Sequence, residues 1–283
     1  MLFITSTMSR LGFFVILIAS MSGVGSCERF SADPVQIPDV AFLEGLLELG
    51  IDRNNDGIVS TWEAEKVRKI ELWPRGIGNL TGIEAFVNLD TLSVYLNPID
   101  TVDLTSNRAL RFVELIGCGL SFLNVRQNAT LTYLDCSGTA LRPNVLEDLD
   151  LSANTALVYL DCSYNQLDHL NLQFNTGLRY LACGRNRLEI LETSELSLLE
   201  KFYCNNNALT ALDLAKNTAL ETLISCGNRL TVLDISRNIR LKKIGIDNMP
   251  MLEEVCVWRM PFPPDGVEIL SGFSPNIVFL VDC

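Results

Sequence analysis

The sequence predicts a β-rich α/β solenoid: a stack of about nine coils of 21 residues, each giving one short parallel strand, with a small helical cap at its N-terminus. Three observations carry this reading. First, the segment NTALVYLDCSYNQLDHLNLQF at 154–174 returns after a shift of 21 as NTGLRYLACGRNRLEILETSE, then as LSLLEKFYCNNNALTALDLAK and NTALETLISCGNRLTVLDISR. Second, single columns keep phase: Leu157, Leu160, Cys162, Asn165, Leu167 and Leu170 are matched by Leu178, Leu181, Cys183, Asn186, Leu188 and Leu191. Third, the frame extends back through Leu131, Leu110 and Leu89 to Val67, Ile70 and Leu72, and forward to Leu241, Ile244 and Ile246.

The L-x-L alternation within each unit makes a short strand with one face inward. One coil cannot bury that face until its neighbours stack on it. The pattern resembles the leucine-rich repeat family over about two thirds of the chain. An asparagine column (Asn97, Asn165, Asn186, Asn207, Asn228) suits a ladder of side-chain amides that satisfies backbone groups where each coil bends. Cys118 and Thr139 interrupt that column, which predicts an imperfect edge in the early coils. The second half of each unit echoes the first, so the opposite wall is expected to carry extended segments as well.

Five stretches follow in chain order: 1–26, 27–37, 38–66, 67–258 and 259–283. The first has no acid and one base, Arg10, ahead of the apolar run LGFFVILIAS, and reads as an export signal. Val24-Gly25-Ser26-Cys27 directly after it resembles a bacterial lipobox, which implies that Cys27 becomes the acylated first residue and anchors the chain to a membrane. Residues 27–37 then form a tether.

The cap, 38–66, begins with an amphipathic helix from Pro38 to about Gly50. The segment that follows resembles an EF-hand calcium loop. Asp52, Asn54 and Asp56 stand at its first, third and fifth positions, with Gly57 at the sharp turn, Ser60 at the ninth and Glu63 at the twelfth. Hard oxygens at that spacing, with the Ile58 carbonyl between them, would wrap one Ca²⁺. A single loop implies a structural ion rather than a paired sensor. Ser60-x-x-Glu63 also fits a helix capping box.

The repeats occupy 67–258, interrupted by an excess of five residues near Gly138 to Pro143, a surface bulge after a strand. Past Ile246 the period slips, and 259–283 is expected to be the C-terminal cap.

The chain carries a net charge of −12, or −13 once Arg10 is removed with the leader (21 bases against 34 acids), which argues against nucleic acid as a partner. Nine cysteines in an exported chain ordinarily suggest disulfides. Here Cys136, Cys162, Cys183 and Cys204 share one inward column, where neighbours point the same way and pack as small apolar groups. Cys226 falls one place outside that column. Cys256 and Cys283 lie near the end, where a staple of the cap is one of two open alternatives. The only histidine, His169, stands without a hydrolase or metal motif, and no catalytic residues are assigned; the expectation is a binding protein, not an enzyme.

The residues turned outward from the strands supply the candidate binding surface. The column before the second leucine reads Phe112, Tyr133, Tyr159 and Tyr180; the column after it includes Asp135, Asp161 and Tyr203. Aromatics flanked by carboxylates suit a recognition surface for a protein partner or, alternatively, a glycan in polysaccharide uptake. Lipobox, calcium loop and N-T-A-L repeats together resemble exported proteins of anaerobic Bacteroidetes. The resemblance implies an outer-membrane or cell-surface lipoprotein serving protein interaction or adhesion.

Overall fold

The alternation of inward leucine and outward polar residue produces a strand of only three or four residues per coil, and these strands stack in parallel. In the computed structural model, which describes residues 33–274 and 277–281, the first strands are β1 (Lys69–Leu72), β2 (Thr91–Val94), β3 (Thr101–Asp103), β4 (Phe112–Glu114), β5 (Phe122–Asn124) and β6 (Tyr133–Asp135). They are followed by β7 (Tyr159–Asp161), β8 (Tyr180–Ala182), β9 (Lys201–Tyr203), β10 (Thr222–Ile224) and β11 (Val232–Asp234). The last are β12 (Lys243–Gly245), β13 (Glu254–Cys256), β14 (Glu268–Leu270) and β15 (Val278–Leu280). The main wall is a ten-stranded sheet in the order β1-β2-β4-β6-β7-β8-β9-β10-β12-β14. Its register pairs like columns, Tyr133 with Tyr159 and Leu134 with Leu160, so the inward leucines form one continuous core.

Ten strands, against about nine expected coils, reflect β14, which pairs with β12 from within the stretch assigned to the C-terminal cap. Pro261, Pro263 and Pro264 break the repeat frame ahead of it and hide the strand from a periodicity argument. The opposite wall is extended only at its ends, as β3-β5 and β11-β13-β15. Between them, residues 147–149, 168–170, 189–191 and 210–212 form no strand.

The asparagine column makes the expected ladder. Asn186 accepts from the Leu167 N–H at 3.0 Å and donates to the Cys162 and Cys183 carbonyls, each at 3.0 Å. Asn165, Asn207 and Asn228 repeat these bonds one coil away. The edge is more complete than expected at Thr139. The insertion swings Asn144 into the vacant rung, where it accepts from Gly119 and Leu120 N–H and donates to the Cys136 carbonyl.

A second row of buried amides, Asn107, Asn128, Asn154, Asn175, Asn217 and Asn238, lies at the first residue of the repeat. Each donates both hydrogens to carbonyls of the preceding coil, as Asn175 does to Leu151 and Asn154 at 3.1 and 2.9 Å. Leu196 stands in this column in one coil. There Thr193 donates to the Asn217 side chain instead.

The cap is α1 (Val40–Glu48) and a one-turn α2 (Thr61–Ala64). Asp39 caps α1 by accepting from Phe42 N–H, and its other oxygen accepts from Gly78 and Asn79, tying the helix to the first coil. Phe42 and Leu46 are fully buried in the common core, which covers the apolar end of the stack. A Cβ on Gly45 would lie 2.8 Å from Leu72 Cδ2, so α1 seats this closely only because that position is glycine.

Cys118, Cys136, Cys162, Cys183 and Cys204 are buried and free, and burial pushes their thiols up. Cys226 is free and half-buried, with Ser225 taking the inward place. Cys256 is disulfide-bonded. Cys283, the export signal and Cys27 lie outside the described residues.

Candidate functional site

Strand spacing sets the geometry of the outward columns. Side chains at matched positions on adjacent parallel strands stand about 4.8 Å apart, close enough for flat rings to stack. Phe112, Tyr133, Tyr159 and Tyr180 do so: their centroids are 4.2, 4.1 and 4.2 Å apart and their planes within 9–11° of parallel. Tyr203, from the neighbouring column, leans on Tyr180 at 5.4 Å and 38° and closes the row. The result is a ribbon of five rings that shows solvent its edges and hydroxyls, because the ring faces cover one another. Burial and the neighbouring carboxylates and phenols push the Tyr133, Tyr159 and Tyr180 phenols up, Tyr180 to about 12, so they remain protonated at neutral pH.

The carboxylates beside the ribbon sit differently from their sequence reading. Asp135 is only 5% exposed. Its Oδ1 accepts from the Ser137 N–H at 3.0 Å and the Ser137 hydroxyl at 2.6 Å, so it is a buried support of the strand end, not an exposed polar contact. Asp161 is half-buried and accepts from the Ser163 N–H at 2.9 Å. Burial is the main cause that raises both carboxyls, Asp135 to about 6, and the Asp161 and Glu114 charges add to the shift at Asp135.

The loop at 52–63 is wound on its own side chains. Asp52 accepts from Asp56 and Gly57 N–H, Asn54 Oδ1 from Asp56 N–H, and Asp56 Oδ1 from Ile58 N–H, at 2.9 to 3.3 Å. Positive φ at Asn55 (58°) and Gly57 (83°) supplies the sharp turn. Buried Glu63 accepts from Arg53 N–H and from the Ser60 N–H and hydroxyl, completing the capping box. Burial opposes its ionisation, but these bonds outweigh it and hold the carboxyl below its usual range. The donor set is all oxygen and suits a hard cation. One group stands otherwise: Asn54 Nδ2 donates to Asp56 at 2.8 Å and would turn over for the amide oxygen to serve. Among the described residues no three His, Cys, Asp or Glu side chains converge as a metal centre, so Asn54, Ser60 and the Ile58 carbonyl would have to share the coordination.

On the opposite wall, where strand pairing lapses, a surface cleft of about 920 Å³ opens. His169 lies on its border, bonded to Asp168 at 2.5 Å and 3.3 Å from Asp148. The bond from Asp168, with the charges of both carboxylates, raises the imidazole's pKa. Arg187, Glu189, Glu192, Ser194 and Glu195 share the lining.

No protein-family profile matches this sequence, and no curated protein does. Solved structures do. The functional domain of InlJ from Listeria monocytogenes, described as including a cysteine ladder, aligns over 79% of this chain and 57% of its own, with 25% identity and a TM-score of 0.62. Internalin C2 from the same organism aligns over 78% of this chain and 93% of its own, with 21% identity and a TM-score of 0.60. This chain therefore spans little more than half the InlJ structure. The fold is that of bacterial leucine-rich repeat proteins, and a buried column of free cysteines runs through this chain as well.

Proposed function

We propose that this protein recognises a protein partner at the bacterial cell surface through its main wall, with Tyr133, Tyr159 and Tyr180 at the centre of the contact. The ring stacking carries this reading. Sugar recognition by tyrosine uses an open ring face, and here the interior faces are taken by neighbouring rings at 4.1–4.2 Å. Edges and a row of hydroxyls remain. These suit backbone and polar groups of a protein surface, where tyrosine contributes large area with little entropy to lose. The resemblance to the functional domain of InlJ from Listeria monocytogenes supports the same direction.

Two variants of the ribbon separate recognition from packing. Changing Tyr133, Tyr159 and Tyr180 together to Phe keeps the stack and removes the hydroxyls; changing them to Ser removes both. Binding of the purified protein to target-cell surfaces should fall about tenfold in the Phe variant and vanish in the Ser variant. It should also disappear when the cells are pre-treated with protease, but not with periodate. Unchanged binding of the Ser variant would place the site elsewhere. Periodate-sensitive binding would restore the glycan alternative.

The proposal includes one structural Ca²⁺ held by Asp52, Asn54, Asp56, the Ile58 carbonyl, Ser60 and Glu63. The ion would neutralise acids now supported by backbone N–H groups, the Asn54 amide and the Ser60 hydroxyl. A ligand bound by the folded state alone stabilises it by about 2.7 kcal/mol at a hundredfold excess over Kd. Melting should therefore rise with free calcium and fall in chelator, and the effect should vanish in Asp52→Ala. Identical melts with and without chelator would remove the ion from the account.

Anchoring through Cys27 completes the reading. Cys27→Ser should shift the protein from the membrane to the soluble fraction and lower its mature mass by the acyl groups. A variant that still sediments with membranes would contradict it.

A further inference from the structure

The five-residue insertion is not a slack loop. Thr139 N–H donates to the Arg142 carbonyl at 2.8 Å and Arg142 N–H returns to Thr139 Oγ1 at 3.0 Å, closing a tight turn. The Arg142 guanidinium reaches back 46 residues to the Leu96 carbonyl at 3.1 Å, and Asn144 anchors the exit of the turn to Tyr164 and the amide ladder. The turn lies on the rim of earlier coils, where a Cβ on Gly117 would meet Leu96 Cδ2 at 2.8 Å and Thr139 Cγ2 at 3.3 Å. At its tip Leu141 is 93% exposed, the most exposed large apolar side chain described. The bonds of the turn and of Arg142 hold this side chain out from the rim.

The rim on either side is built in the same manner. In most coils, though not at Gly138, one residue turns left-handed here. Gly117 and Gly227 fill that position in two coils, but Leu96 (φ 53°), Tyr164 (56°) and Arg185 (56°) fill it in others, so bulky side chains are displayed against a backbone preference. The Arg185 guanidinium lies 5.0 Å from the Tyr164 ring centroid. Among the described residues neither Arg142 nor Arg185 enters an ion pair, in a chain with a net charge of −12.

We infer that this rim is a second recognition surface, independent of the tyrosine ribbon, which takes an acidic segment of a protein partner: Leu141 fills an apolar site while carboxylates pair with Arg142 and Arg185. Charge complementarity identifies the partner's chemistry: Arg142, beside Leu141, and Arg185, several strand spacings of about 4.8 Å further along the same rim, are guanidiniums outside any ion pair, which suits an extended segment with carboxylates set apart on either side of an apolar residue.

The probe is a displayed library of random peptides, selected on the full chain. Ligands should be enriched in Asp and Glu around an aliphatic or aromatic residue and should weaken steeply with salt. Leu141→Ser and Arg185→Asn should each reduce their affinity about tenfold. The second variant keeps the left-handed backbone, which Asn206 and Asn248 already adopt in this column. Both should melt as the parent does, and the triple Tyr→Phe variant should bind the same peptides unchanged. Selection of no acidic ligands, or of ligands indifferent to both rim variants, overturns the inference. Ligands lost only in the tyrosine variant would assign binding to the main wall alone.

Discussion

Asn186→Leu should lower the unfolding free energy by about 3 kcal/mol, the largest effect expected of any polar substitution in this chain. The side chain is buried and makes one bond to the Leu167 N–H and two to the Cys162 and Cys183 carbonyls. An apolar replacement of similar volume leaves the Leu167 N–H in a dry interior with no partner, at about 1–3 kcal/mol, and takes one of two amide donors from each of the Cys162 and Cys183 carbonyls, which keep Asn165 and Asn207. Asn171 sits on the surface and makes one local bond, to Gln173 N–H, so Asn171→Ala should cost less than about 1 kcal/mol. Denaturant unfolding compares the two, and hydrogen exchange should show the Leu167 amide losing protection first. Equal effects at Asn186 and Asn171 would mean that the ladder is decorative.

Asp135→Asn is expected to stabilise the protein at pH 7. Burial beside Asp161 and Glu114 raises this carboxyl to about 6, so the folded state binds a proton that the unfolded chain has already released. For a raised carboxyl the favourable contribution is full below the unfolded value near 4 and is lost as pH rises through about 6. A displacement of this size corresponds to roughly 2–3 kcal/mol. Asparagine carries no charge and its oxygen still accepts from Ser137, so a gain on the order of 1–2 kcal/mol at pH 7 is expected, shrinking toward zero near pH 4. A gain independent of pH, or a loss at pH 7, would show that the carboxylate is needed where it stands.

Much of the architecture was legible because a repeat reports its own phase. The inward columns, the amide ladder from Asn165 to Asn228, and the helix and capping box ahead of β1 all follow from local spacing. What escaped depends on contacts between coils. Thr139 reads as a broken rung because its replacement, Asn144, is five places away in sequence and is delivered by the insertion. The first residue of each N-T-A-L unit marks the period, yet its service as a second amide row requires knowing which carbonyls the preceding coil leaves beside it. Asp135 alternates outward correctly, but neighbours one rung away bury it. The same rung distance turns an open strip of tyrosines into a stack of covered faces.

The two amide rows have a bearing on how this array can change length. Nearly every asparagine in them reaches the coil before it at a fixed offset, 24 residues back for one bond of Asn186 and of Asn175. Removing one whole 21-residue unit rejoins each amide to an equivalent acceptor, whereas trimming a few residues strands every rung beyond the cut. Length is therefore quantised. The five-residue departure at the rim is admitted because its last step returns an amide to the empty rung. Growth and loss in this chain should proceed by whole coils, with shape novelty confined to bulges that restore the bond they displace.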